Sequence, residues 1–543
     1  MPFPDYTPTT PVFILHLAAK FGMREALVLG ERRLSYLDAE EQSARLASGL
    51  LADGIGKGSR VGVLMPNGPD WLVAWLGITR IGAVMVPINT FYQTKELAWI
   101  LRHADVQTLL TVPRFLSHDY LERLEAAAPG LARSDSAPLR LVALPHLRRI
   151  YVFGDSDREW SHDGHALIAR GRDELARDVG YLAAVESTIT PADPMAILYS
   201  SGSTSDPKGA IHSHGGLIRH AYNLASTRDL RSDDRVWSPM PFFWVGGFVF
   251  VLVGNLHVGA TTLCEEVFDP ATTLAFLERE RVSIALGWPH FGKALSEHPS
   301  FASRDLSSLR AGNVPNLLPE SVVPSDPQLR ANALGMTETC GPHTWSDAKG
   351  ALPERLRASF GRAVEGVEHR VIDPETGGIL PPGEFGEICV RGYNLMLGLY
   401  KTERSDVFEP DGFYRTGDGG WFDADGVLFF KGRLGEMIKT GGANVTPSEV
   451  EQVLVSYPEV KEAYVVGVDD AERGQSVEAA VVLEPGAALE GETLRARLRG
   501  DISAYKVPRH VFVYASGTLP FTDTGKIDKR RLTALLATRL AGS

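Results

Sequence analysis

An α/β fold is predicted, with a large N-terminal domain of parallel-rich sheets covered by helices, a small β-rich subdomain, and a small α+β C-terminal domain. Three observations carry this. Short apolar strand-like runs alternate with helical patterns through the first 430 residues, which indicates parallel sheets with covering helices. From 361 to 430 the pattern changes to short strands broken by Gly/Pro turns. Beyond Arg433 a compact stretch of about 110 residues reads as a separate α+β unit, within ordinary domain size.

Each element has its own warrant. Ala44, Leu46, Ala47, Leu50 and Leu51 recur at helical spacing over 40–52, and Gly54 and Gly56 end the run. Strands are expected at 60–65, 83–88, 108–112, 147–153 and 195–200, with a helix at 71–81 and a helix-like run at 215–224. Residues 129–146, rich in Pro, Arg and Ser, read as a surface connection. Segment 236–264 has no Asp, Glu, Lys or Arg, yet its prolines, glycines, Asn255 and His257 favour a buried core helix with turns over a membrane span. Short strands follow at 369–372 and 387–391. Thr446-Pro447-Ser448-Glu449 reads as a capped helix start with a capping box. Strands at 462–468, 477–483 and 511–514 and a helix at 492–499 complete the last unit.

The chain has 543 residues, enough for large cores without disulfides. Its composition, 44% apolar and 22% charged, is that of an ordinary globular protein. A net charge of −12 argues against broad nucleic-acid binding. Three cysteines, Cys264, Cys340 and Cys389, match no zinc or disulfide pattern. Together with an N-terminus unlike a signal peptide and a C-terminus without a targeting address, they point to the cytoplasm. No transmembrane segment is expected, and a homodimer is left open.

The richest segment is Tyr199-Ser200-Ser201-Gly202-Ser203-Thr204-Ser205-Asp206-Pro207-Lys208-Gly209. Small hydroxyl residues and glycine let N–H and O–H groups converge on an anion, and Lys208 adds charge. Between a buried strand and a helix, such a loop would gain from the helix N-terminus. It is not a Walker A sequence. His212, His214 and His220 lack a matching Cys or carboxylate cluster and read as a helix start and its flank, while Trp421, Phe422, Phe429 and Phe430 read as subdomain core.

The glycine-rich segment resembles the phosphate loop of the adenylate-forming superfamily: acyl-CoA synthetases, luciferases and peptide-synthetase adenylation domains. Further blocks follow in that family's order. They are Leu334-Gly335-Met336-Thr337-Glu338-Thr339, Tyr414-Arg415-Thr416-Gly417-Asp418, Gly432-Arg433 with Gly441-Gly442 and Pro447-x-Glu449-Val450-Glu451, and Pro520-Phe521-Thr522-Asp523-Thr524-Gly525-Lys526-Ile527.

The resemblance implies domains of 1–432 and 437–543 about a hinge at 433–436, the second domain being mobile. It also implies roles. Ser201, Gly202, Ser203, Thr204 and Lys208 would cradle the ATP phosphates. Glu338 would hold Mg²⁺, and Thr337 would touch the α-phosphate or the acyl carboxylate. Gly312, Asn313, Val314, Leu334, Gly335 and Met336 would lie by the nucleotide, with Asp418 on the ribose and Arg433 beside it. Lys526 would bridge the acyl carboxylate and α-phosphate. Lys526, Glu338, Thr204 and Thr337 form the implied catalytic set. Trp244, Val245, Gly246, Gly287, Trp288 and His343 would line the acyl pocket, and Gly441 and Gly442 would let CoA pass. ATP, Mg²⁺ and CoA are the implied cofactor and co-substrates.

Four positions depart from the common pattern: Gly435 at the hinge, Leu334 where an aromatic is usual, Gly312-Asn313-Val314-Pro315 near the adenine, and Trp244 where a histidine is usual. No Asp stands between Phe242 and Phe248 to meet an α-amine, which disfavours amino acids. The leading expectation is an AMP-forming acid–CoA ligase for an aliphatic or aromatic acid. The alternatives are an adenylate former serving a carrier protein or another acceptor, and a degenerate nucleotide-binding regulator.

Overall fold

The computed structural model describes residues 3–134, 138–200, 207–314, 316–440, 443–470, 474–502, 506–522 and 526–541. It divides into two compact units, Met1–Glu368 with Val390–Tyr414, and His369–Cys389 with Arg415–Ser543.

The first unit holds two large sheets. One has eight strands in the order Gly398–Leu399, Lys208–Ser213, Pro194–Ser200, Val84–Pro87, Arg60–Leu64, Thr108–Thr111, Arg149–Val152 and His162–Asp163. From Pro194–Ser200 onward the neighbours are parallel, and the first two pairings are antiparallel. The other has six, in the order Ala311–Gly312, Ile284–Ala285, Arg235–Trp237, Thr261–Cys264, Glu25–Leu29 and Arg32–Ser35, all parallel except the last pair. Inner strands such as Val84–Pro87, Arg60–Leu64 and Thr108–Thr111 are largely apolar because both faces are covered. Helices Tyr36–Ala52 and Pro69–Thr79 bury Leu46, Leu50, Trp71 and Trp75 in the largest core.

The segment 236–264 is not one helix. It runs through the strand Arg235–Trp237, a π-helix Gly246–Val253, a short helix Gly254–Val258 and the strand Thr261–Cys264. Among the described residues no helix is long and apolar enough to cross a membrane. The expected surface connection at 129–146 is irregular, but it is not superficial. Leu131, Leu139, Leu141 and Leu144 are buried in the core around Tyr120 and Trp160, so its leucines, not its prolines and arginines, decide its placement.

In the second unit the antiparallel pair Tyr414–Phe422 and Leu428–Arg433 stacks Trp421 on Phe429 across the strands, 5.4 Å apart. Trp421, Phe422, Phe429 and Phe430 are half-buried on both faces of this pair, not core as expected. The C-terminal sheet runs Ala443–Val445, Ile438–Thr440, Gly474–Leu483, Val460–Asp470, with His510–Tyr514 parallel beside Gly474–Leu483. Alternate residues go to opposite faces. Val465, Ala479 and Val481 pack with Val450, Leu454 and Leu494, while Val466, Val468, Ala480 and Val482 pack with Leu532 and Leu536. The last two belong to Lys529–Ala541, a helix that the sequence pattern does not mark.

The helix Pro447–Val455 starts where expected, with Thr446 as N-cap, but no capping box forms. Glu449 pairs instead with Lys506 at 2.7 Å.

Five histidines are buried in the first unit, and four of them, His212, His214, His220 and His257, are held by backbone groups. Nε2–H of His212, His220 and His257 meets the carbonyls of Thr337, Pro342 and Ile218, and Nδ1 of His214 accepts from the Thr10 amide. Burial lowers their pKa to about 4 for His212 and about 3 for the others. An unfolded histidine titrates near ~6.5. Below that pH the unfolded chain binds more protons, so their contribution is complete above ~6.5 and is lost as pH falls toward their folded values. Urea midpoints should therefore fall steadily from pH 7 to pH 5, by on the order of 1.4 kcal/mol per pH unit per histidine at most. A flat midpoint across that range would contradict this.

Candidate active site

The strands Pro194–Ser200 and Lys208–Ser213 form an antiparallel ladder that ends with Ser200 opposite Lys208. Ser201, Gly202, Ser203 and Thr204 lie outside the described residues. Lys208 is exposed at the first position of the returning strand. Gly209 is needed beside it, since a Cβ would lie 2.8 Å from Ile197 Cγ2 and 3.0 Å from the Tyr199 ring. The expected strand–loop–helix arrangement is not what forms. The six-residue strand Lys208–Ser213 separates loop from helix, and the helix His214–Thr227 begins at its far end, where Ser213 Oγ accepts from the Gly216 amide. At ~3.3 Å per residue that is about 20 Å of strand, too far for the helix field to act on the loop.

Gly335–Met336 pairs antiparallel with Gly341–Pro342, and residues 337–340 turn between them. Gly335 lies directly on the Gly341 backbone, where a Cβ would approach within 2.5 Å. Thr339 Oγ1 accepts from the Met336 amide and donates to the Gly341 carbonyl, while Cys340 takes a left-handed φ of 59°. Three successive carbonyls are held from outside. The His212 ring donates to Thr337, the Met396 amide to Glu338, and Asn394 Nδ2 to Thr339, at 2.8, 2.9 and 2.9 Å. The carbonyls of 337–339 are thus engaged, whereas two of the turn's three polar side chains are not. Among the described residues the Thr337 hydroxyl and the Glu338 carboxylate have no partner, although Glu338 is only 7% exposed. A buried carboxylate without counter-charge is costly unless a cation meets it, so this residue fits Mg²⁺, a hard cation that prefers oxygen ligands.

The residues expected beside the nucleotide and the acid lie on further strand ends and loops of the first unit. Gly312, at φ 147°, sits where a Cβ would come 2.1 Å from the Ala285 carbonyl. Asn313, one of the departures, accepts the Gly287 amide on Oδ1 at 2.9 Å and donates its own amide to Ala285. It ties the ends of the strands Ile284–Ala285 and Ala311–Gly312 together. The Val314 side chain is buried in the core with Trp237, Leu263 and Leu295, so only its backbone is available. The Leu334 carbonyl accepts from the amides of His343 and Thr344, and His343 is fully buried. Trp244 and Trp288 meet edge to face at 6.0 Å, with Phe243 and Phe291 completing an aromatic row. Val245 approaches Gly341, and Gly246 opens the π-helix.

In the second unit, register sets Asp418 opposite Arg433. Arg433 Nε lies 2.9 Å from Asp418 Oδ1, and its Nη1 donates to the Thr416 carbonyl. The Asp418 amide donates to Thr416 Oγ1. A buried carboxylate and a half-exposed guanidinium result. Lys526 is exposed just before the terminal helix, on a loop closed by the Thr522 amide donating to its carbonyl at 2.7 Å and by the Phe521–Ile527 bridge. Gly441 and Gly442 lie outside the described residues; the strands flanking them pair Thr440 with Ala443.

Sequence reasoning missed the residues that hold the turn. His212 is a strand residue serving Thr337, not part of a helix start, and Asn394 and Met396 carry no motif signal because they act on backbone carbonyls.

The model of the family described as AMP-binding enzyme matches residues 15–400, and that of the AMP-binding enzyme C-terminal domain matches 449–526. The chain belongs to this adenylate-forming superfamily. Within it the similarity is to acyl-CoA ligases. The putative acyl-CoA synthetase YngI of Bacillus subtilis is 31% identical, covering 94% of this chain and 93% of its own. The indoleacetate–CoA ligase of Aromatoleum aromaticum is 32% identical over 95% of each chain. The solved anthranilate CoA ligase AuaEII, in complex with anthranoyl-AMP, matches with a TM-score of 0.80 over 100% of this chain and 99% of its own, at 24% identity.

Glu338→Gln should lower acid-dependent pyrophosphate release by about 10²-fold or more. Its melting temperature should be unchanged or raised, because an uncompensated buried charge is removed. Equal losses of stability and activity would mark Glu338 as structural.

Proposed function

We propose that the protein activates a hydrophobic carboxylic acid, aliphatic or aromatic, with ATP, and then transfers the acyl group to CoA. The observation that carries this reading is the turn 337–340, whose first three carbonyls are held while the Thr337 and Glu338 side chains stay unpartnered among the described residues. In the first step a substrate carboxylate oxygen attacks the α-phosphorus, the bond to the bridging oxygen breaks, and pyrophosphate leaves. In the second the CoA sulfur attacks the acyl carbon, AMP leaves, and the thiol proton passes to solvent.

Charge builds on phosphoryl oxygens in the first step, so catalysis is chiefly positioning and electrostatics. Lys208 and the hydroxyls of Ser201, Ser203 and Thr204 would grip the phosphates, and Thr337 would orient the α-phosphate or carboxylate. Mg²⁺ held by Glu338 would neutralise phosphate charge. Asp418, paired with Arg433, would accept hydrogen bonds from the ribose hydroxyls. Lys526 has no ion-pair partner among the described residues, which suits a group that must reach acyl carboxylate and α-phosphate. The Trp244–Trp288 pair suits an apolar acid. Residues 433–436, the end of a strand and the single turn Leu434–Glu436, are the proposed hinge before a mobile C-terminal domain. Gly441 and Gly442 would border the pantetheine arm. A cytoplasmic enzyme suits three buried free thiols.

The test is pyrophosphate release from MgATP across aliphatic and aromatic acids, with and without CoA. Acid-dependent release that becomes sustained turnover with CoA is expected. A single burst that CoA cannot extend would replace CoA with another acceptor, and no release with any acid would overturn the reading. Lys526→Ala should cut adenylation by about 10²–10³-fold. Transfer from supplied acyl-AMP to CoA should survive far better, and equal loss in both steps would refute the role given to Lys526.

A further inference from the structure

Arg228 follows the last residue of the helix His214–Thr227. Its Nε donates to the Leu224 carbonyl at 3.2 Å, and its Cζ sits 4.1 Å from the centre of the Phe250 ring. Nη1 and Nη2 are buried and make no hydrogen bond. The guanidinium reaches this position only because residue 254 is glycine, since a Cβ there would lie 2.3 Å from Nη2. Across Phe250 stands Trp345, ring centres 5.8 Å apart, whose Nε1 is likewise buried without a partner.

Burial alone lowers the Arg228 pKa to about 9, and no neighbouring carboxylate offsets it. The adjacent Asp229 carboxylate is engaged by Arg231 and Lys349 instead. Buried donors left unpaired cost far more than surface ones, and a buried guanidinium most of all.

The position of this cluster indicates what would meet it. Leu224 lies one helical turn before Arg228, and a Cβ on Gly341 would touch both Leu224 and Val245, at 3.7 and 3.9 Å. Phe250 is on the same π-helix as Gly246, and Trp345 is two residues beyond His343. Arg228 is therefore about 6 Å further along the helix that flanks the acyl-pocket residues.

We propose that Arg228 and the Trp345 indole N–H form a distal subsite of the acyl pocket, which takes an oxygen acceptor at the far end of the acid. This deepens the function proposed above and rests on it. A second carboxylate is the full match, because it supplies both the missing charge and paired acceptors for the guanidinium fork. A ketone supplies the acceptors alone. The substrate class is thus an otherwise apolar acid that carries oxygen at its distal end.

The test is equilibrium binding by calorimetry, which reads the subsite without turnover. Octanoate, 7-oxooctanoate and octanedioate are compared, as are their twelve-carbon counterparts, on the full-length protein, its Arg228→Met variant and its Trp345→Phe variant. At one length at least, an oxygen-bearing acid should bind the parent protein about tenfold or more tightly than the plain acid, since a site with unpaired donors rejects ligands that cannot pair them. The dioate exceeding the ketone would identify the anion as the preferred partner; the reverse order would identify the neutral acceptor. Arg228→Met should abolish the preference and leave the melting temperature equal or higher. Trp345→Phe keeps the ring and removes one donor, so it should weaken only the oxygen-bearing acids.

A preference for plain acids at both lengths, or one untouched by both substitutions, would overturn the proposal. Pyrophosphate release with the same acids reports separately on the ligase reading. Binding preference without release would retain the subsite and reject that reading.

Discussion

A charge withdrawn from water needs a counter-charge, and this requirement organises the molecule. Arg80, almost wholly buried, is held by Glu40 and Glu186 and so fastens the helix Pro69–Thr79 to its neighbours. Buried Glu280 gathers Arg33, Arg235 and Arg279, and buried Asp234 takes Arg310. These pairs fix strand ends and helices around the six-stranded sheet. Breaking one partner of such a pair typically costs several kcal/mol, about 3–5, because the other is stranded. Against that background Glu338 and Arg228 stand out, one an acid and one a base, each buried and each without a counter-ion among the described residues. The same physics that makes the scaffold rigid makes these two positions receptive.

The scaffold does a second job through backbone rather than charge. The turn carrying Thr337 and Glu338 has its carbonyls taken by His212, Met396 and Asn394, from a strand and a loop distant in sequence. Of its side chains, those of Thr337 and Glu338 are left without a partner among the described residues. Asn313 acts similarly, joining Gly287 to the Gly312 strand end. In the second unit Asp418 is positioned by strand register and by Thr416, so its orientation does not depend on a ligand. Thr337, Glu338 and Asp418 are thus presented on hydrogen-bonded frames, an arrangement of the kind electrostatic preorganisation requires.

Much of this was legible in the sequence, for reasons that also account for the failures. Strands such as Arg60–Leu64 and Thr108–Thr111 are buried on both faces and so announce themselves as apolar runs. The motif residues Glu338, Asp418, Arg433 and Lys526 were legible because charged groups standing at set places in an ordered series of blocks rarely arise by chance. The strand Lys208–Ser213 was not, since a lysine, a histidine and a serine dilute its apolar pattern and its neighbours in the sheet supply what its sequence lacks. The terminal helix depends on Leu532 and Leu536 meeting a sheet face, a tertiary fact. Thr446 caps by position while Glu449 turns to Lys506, a partner that no local pattern names. Arg228 escaped because an arginine after a helix reads as an ordinary end residue until its surroundings are known.

The π-helix Gly246–Val253 has a consequence for how such proteins diverge. Hydrogen bonds that span five residues instead of four accommodate one residue more than an α-helix over the same path. Loss of a single codon there would let the segment relax to ordinary winding, so that the following helix and strand keep their places while the side chains within Gly246–Val253 are redistributed around the axis. Phe250 would leave the guanidinium it now supports, and a different side chain would face Trp345. Gene-level deletion of three nucleotides, rather than a series of point changes, would thus repack the surroundings of Arg228 and Trp345 while the two sheets stay as they are.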